Sequence, residues 1–96
     1  MKNITLNTFI KMALNHVNST ESDIYLFLRS RYLYKDTTGL LPTPLMVNMG
    51  LFKVVQYRPN KKTFYVTPKG QQELLKEIIR VFPAIGFGAG LGAYNG

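Results

Sequence analysis

The chain of 96 residues has no cysteine and a single histidine, His16. Without thiols there is no disulfide, no thiolate metal site and no thiol nucleophile, and one imidazole cannot complete a metal site by itself. A small domain without such staples suits a reducing compartment, so a cytoplasmic location is expected. Acidic residues are also scarce: five Asp and Glu stand against twelve Lys and Arg, a net charge of +7. Residues 37–72 contain no Asp or Glu, and no charged side chain follows Arg80. No apolar run approaches the roughly 20 residues of a membrane helix. The start of the chain, interrupted by Asn3, Thr5 and Asn7, does not read as a signal peptide.

What is present is a chain that is 46% hydrophobic, enough for one small core and too much for a disordered tail. Its charge is concentrated. Lys53, Arg58, Lys61, Lys62 and Lys69 lie in the acid-free stretch and account for five of the seven net charges. An excess of this kind calls for an acidic partner, with nucleic acid first and an acidic protein or membrane surface second. Candidates for catalysis are lacking. Glu73 and Glu77 share a helix face with Lys69, Lys76 and Arg80, which reads as a surface ion network rather than a paired acid and base. No serine has a base partner. The expectation is a protein without enzymatic activity, cofactor or metal.

Apolar periodicity organises the rest. Leu6, Phe9, Ile10, Ala13, Leu14 and Val17 form one stripe of an amphipathic helix that Thr5 can cap. Ser19 or Thr20 can cap a second helix, with Glu21 and Asp23 at the positive end of its dipole. This helix runs to Leu33; residues 24–28 alone fit a strand equally well, and the cap signals favour the helix. Because it is apolar on nearly all sides, it is expected to be central and the most buried. Residues 35–39 read as a loop. Pro42 and Pro44 bar a regular helix across them, and a short helix begins at Thr43 and closes at Gly50.

Residues 51–57 and 63–67 are rich in β-branched and aromatic side chains and read as two strands around a basic turn, Arg58-Pro59-Asn60-Lys61-Lys62. Thr67 and Pro68 open a last helix with a buried stripe of Leu74, Leu75, Ile78, Ile79 and Phe82 and outward pairs Lys69–Glu73 and Glu77–Arg80, ended by Pro83. Tyr25, Tyr32 and Tyr34 are expected to cover the core with their hydroxyls outward. Tyr57 and Tyr65 flank the hairpin, where core packing and base stacking are the two readings. Residues 84–96 alternate glycine with Ile85, Phe87, Leu91 and Tyr94. A dinucleotide fingerprint would follow a strand and open a helix, and this segment follows a helix. It reads either as a flexible tail or as an apolar arm that docks on a partner chain or a membrane.

The order helix, helix, short helix, strand, basic turn, strand, helix resembles the winged helix-turn-helix domain. The segment from Tyr57 to Gly70, with Arg58-Pro59-Asn60-Lys61-Lys62 at the turn and Thr67-Pro68-Lys69-Gly70 at the step into the helix, resembles the wing of MarR- and PadR-type regulators. Leu45 to Met49, Gly50 and Leu51 resemble the end of the family's recognition helix and its passage into the wing. The resemblance implies an α+β, mainly α fold: a winged helix of three helices, a two-stranded β-hairpin wing and a C-terminal helix over residues 1–83, followed by the glycine-rich apolar tail at 84–96. It implies a transcriptional regulator bound to double-stranded DNA. Arg58, Asn60, Lys61, Lys62, Lys53 and Lys69 would meet phosphates, and Thr43 and Asn48 are the polar groups available to read bases, since the third helix has no Arg or Lys. Regulators of this kind often dimerise through terminal helices, which makes the last helix and tail the expected homodimer contact. The alternative is an interaction module on the same fold, of the type phages and mobile elements make to bind host machinery, or one that self-assembles through Ile85, Phe87, Leu91 and Tyr94.

Overall fold

A computed structural model describes residues 1–84, so the tail positions Ile85, Phe87, Leu91 and Tyr94 lie outside the described residues. The described chain is α+β, with four helices and two antiparallel two-stranded sheets. In chain order these are α1 (Leu6–Ala13), α2 (Glu21–Tyr32), β1 (Leu33–Asp36), β2 (Gly39–Pro42), α3 (Pro44–Asn48), β3 (Phe52–Arg58), β4 (Lys61–Val66) and α4 (Pro68–Val81).

Local chemistry sets most of the helix ends. Thr5, Thr20 and Thr67 each accept the backbone N–H three residues on, from Thr8, Asp23 and Gly70, and so satisfy donors that a first turn leaves open. Pro44 and Pro68 occupy first turns, where a missing N–H costs nothing. Gly50 ends the α3 turn at φ +80, in the region where a side chain would be strained.

The core gathers Phe9, Ile10 and Ala13 of α1, Ile24 and Leu28 of α2, Leu51, Phe52 and Val66 at the base of the β3–β4 hairpin, and Leu74 and Ile78 of α4. Phe52 and Phe64 meet edge to face at 5.8 Å, and Phe27 meets Phe82 at 5.5 Å. The N-terminus is fastened to this assembly. Ile4 and Val66 exchange backbone hydrogen bonds, and the buried amide of Gln71 donates to the carbonyls of Lys2 at 2.7 Å and Val66 at 3.2 Å. At the other end Ala84 bridges to Val17, and Asn18 N–H donates to the Pro83 carbonyl.

Several expectations are corrected. Helix α2 is not buried all round: Ile24, Leu28 and Tyr32 form one buried stripe, while Leu26 on the other side is 56% exposed. A domain this small covers only one face of a helix. Residues 35–39 are not a loop but the turn of a hairpin. β1 pairs with β2 from Leu33↔Pro42 to Asp36↔Gly39, and the Asp36 carboxylate closes the turn by accepting from the Thr38 amide at 2.7 Å and hydroxyl at 2.6 Å. Tyr34, on β1, is exposed rather than laid over the core. Val17 is buried but lies beyond the end of α1, and Ile79 faces outward on α4. Glu73 pairs with Lys76 at 3.6 Å instead of Lys69, whereas the Glu77–Arg80 pair is present at 2.6 Å.

Candidate nucleic-acid interface

The β3–β4 hairpin is longer and tighter than its sequence pattern suggests. The strands run on to Arg58 and resume at Lys61, leaving Pro59 and Asn60 as the whole turn. The ladder pairs Phe52↔Val66, Lys53↔Tyr65, Val54↔Phe64, Val55↔Thr63 and Gln56↔Lys62, then shifts to Arg58↔Lys61. Tyr57 is therefore the extra residue of a β-bulge, and bulges re-aim side chains. The Gln56 side-chain amide donates to the Pro59 carbonyl at 2.8 Å, which braces the turn.

Alternation along the strands sorts the cations. Phe52, Val54, Phe64 and Val66 belong to the core-facing register, and Gln56↔Lys62 continues it toward the tip. Lys53, Val55, Thr63, Tyr65 and Lys61 share the opposite register. All of Gln56, Tyr57, Arg58, Pro59, Asn60, Lys61 and Lys62 are exposed, so the outer end of the hairpin is solvated on both faces. From Phe52 to Arg58 the strand extends about 20 Å, enough to carry the charges well away from the core.

Carboxylates are elsewhere. Among the described residues the ion pairs join Glu77 to Arg31 and Arg80, and Glu73 to Lys76. The hydrogen bond from Arg80 holds the Glu77 carboxyl below its usual range, and the charges of Arg80 and Arg31 add to this. Burial, and then the Glu77 charge, push the Tyr32 phenol up. Glu21 and Asp23 sit in the first turn of α2. Only Asp36 approaches the hairpin tip. Its carboxyl is held below the usual range chiefly by the Thr38 hydroxyl and amide, with a smaller contribution from the Lys62 charge. No carboxylate among the described residues lies within ion-pairing distance of Lys53, Arg58, Lys61 or Lys62.

The residues expected to bind DNA thus separate into two groups. Arg58, Asn60, Lys61 and Lys62 come together at the tip, and Lys53 stands exposed near the hairpin base. Lys69 is not part of the hairpin. It lies in the first turn of α4, where its Cδ is 3.6 Å from the position a Cβ on Gly50 would take. Thr43 occupies the N-cap position of α3 without a side-chain cap bond, and its amide donates to the Tyr32 carbonyl at 3.0 Å. Asn48 is exposed at the end of α3.

Around α3 the surface is apolar. Leu45 is 61% exposed and Met49 47%. Beside them an open groove of about 450 Å³ is lined by Tyr32, Met46, Met49, Leu51 and Leu74, with Lys69, Glu73 and Glu77 as its charged members. Asp36 takes the turn role its sequence context suggests, whereas the pattern gives no sign of this groove and leaves Tyr57 between core packing and base stacking. A short, uncharged helix closed by Gly50 is visible in the pattern, but which of its apolar residues α4 leaves exposed is not. No helix among the described residues is long and apolar enough to cross a membrane, and no group of three or more His, Asp or Glu among them could hold a metal ion. No family model, curated protein or solved structure matches the chain.

Proposed function

We propose that this chain is a small winged-helix DNA-binding protein, a transcriptional regulator that grips DNA phosphates through the β3–β4 hairpin as its wing. The observation that carries this reading is the hairpin tip: Arg58, Lys61 and Lys62 are exposed together there, without a carboxylate partner among the described residues. Cations held in no ion pair on a projecting hairpin remain available to a polyanion, and each phosphate they neutralise releases counterions. Helix α3 adds little base reading in this account, because Thr43 and Asn48 are the polar side chains it offers. The wing therefore supplies affinity, and positioning outweighs sequence selection.

Three to five phosphate contacts set the expected salt response. In a titration on duplex DNA, log K should fall against log salt with a slope of about −3 to −5. Absence of binding at low salt, or a flat slope, removes this reading.

A second reading is favoured by the exposed Leu45 and Met49 beside the α3–α4 groove. These apolar groups fit a protein partner better than base edges. On that reading the chain is an interaction module of the same architecture, and the duplex titration would be negative.

A further inference from the structure

We propose that Tyr57 forms a stacking subsite for an unpaired nucleobase at the tip of the wing, so that the wing prefers DNA with an opened, single-stranded segment to fully paired duplex. This deepens the phosphate-gripping role and rests on it. Tyr57 is left out of the strand ladder by the bulge between Gln56 and Arg58, and the residue is 58% exposed. Its ring takes part in none of the aromatic pairs of the described residues, which join Phe27 to Tyr32 and Phe82, and Phe52 to Phe64. A bare aromatic ring therefore stands next to Arg58 in sequence and beside the Arg58↔Lys61 pair in the ladder. The turn that presents it is braced by Pro59 and by the Gln56 hydrogen bond to the Pro59 carbonyl, so little freedom is lost on binding.

An open ring flanked by cations is the arrangement by which single strands are held, with the bases stacked on aromatics and the backbone on positive charge. The preference follows from where base faces are accessible. In duplex both faces of each base are covered by its neighbours, and exposing one requires unstacking a step at a cost of a few kcal/mol. An unpaired base offers its face without that cost. The cations serve phosphates of either form, so the ring distinguishes the two.

The test compares the full chain with Tyr57→Ala and Tyr57→Phe, titrated on a 12-nucleotide oligothymidylate and on a paired duplex of the same length over one shared series of salt concentrations. Tyr57→Ala should weaken binding to the single strand roughly 5- to 100-fold and binding to duplex less than about twofold, with the salt slope unchanged, while Tyr57→Phe keeps wild-type affinity. Because the chain has no tryptophan, Tyr57→Trp provides a sole indole at the site, and its fluorescence should be quenched by the oligothymidylate and not by duplex. Equal losses on both nucleic acids, or no loss with Tyr57→Ala, overturn the stacking subsite. If the wild type binds duplex with a steep salt slope and Tyr57→Ala is indifferent, the wing stands and the subsite falls. If the wild type binds neither nucleic acid at low salt, both fall together.

Discussion

Gly70 shows how much a single position can decide. It lies in the first turn of α4, and a Cβ built there would come within 1.9 Å of the Leu51 carbonyl oxygen and 2.8 Å of its carbon. These are backbone atoms, which cannot rotate away. The same contact is fastened by Thr67, whose hydroxyl donates to the Gly50 carbonyl while its amide donates to that of Leu51. Gly70→Ala should therefore push the α4 N-terminus off the base of the β3–β4 hairpin and cost about 1–3 kcal/mol or more, measured as a lowered midpoint in chemical denaturation. Wild-type stability in that variant would contradict the close approach. The capping residues were largely legible in the sequence, because a cap is a matter of neighbours: Thr5 and Thr67 cap as their context implies, and of Ser19 and Thr20 it is Thr20 that caps α2. The need for glycine at 70 was not, since the atom it avoids is 19 positions away.

Among the elements, the β3–β4 hairpin was legible in the sequence and the β1–β2 hairpin was not. The former has β-branched and aromatic strands about a proline turn. The strands of β1 and β2 are four residues each, with Tyr34 and Lys35 exposed and no clear alternation, so they carry little pattern to read. What closes their turn is Asp36, through hydrogen bonds that only its ionised carboxylate makes in full. Its folded pKa is lowered, so its contribution to stability is present above the ordinary aspartate range and disappears as pH falls through the folded value. Asp36→Asn should then melt earlier than wild type at neutral pH, and the two melting curves should converge as pH falls below the ordinary aspartate range. Thermal melts across that range check this, and a constant difference between the two proteins would contradict it. Glu77 shifts in the same direction and adds to the acid sensitivity of both proteins.

At the scale of the whole molecule the dominant feature is the separation of charge. Glu73 and Glu77 pair with Arg31, Lys76 and Arg80 along one side of α4, which leaves the β3–β4 hairpin with Asp36, near Lys62, as the acid that approaches its tip. The clustering of Arg58, Lys61 and Lys62 was legible because all three lie within five consecutive residues. The placement of Lys69 was not. In the chain it belongs to the basic stretch, but the step from β4 into α4 turns it toward Gly50 and the α3 groove. The molecule thus offers two unlike surfaces, a basic projecting hairpin and a more apolar patch around Leu45 and Met49, and the central claim is that the first one binds a polyanion.

The most direct test is the salt dependence of duplex DNA binding by the wild type and by the triple variant Arg58→Ala, Lys61→Ala and Lys62→Ala. These side chains are exposed, so the variant should fold normally. The account predicts a wild-type slope of log K against log salt of about −3 to −5, made shallower by about one unit for each cation removed. Equal slopes for the two proteins would mean that the wing does not hold the phosphates, and would contradict the account.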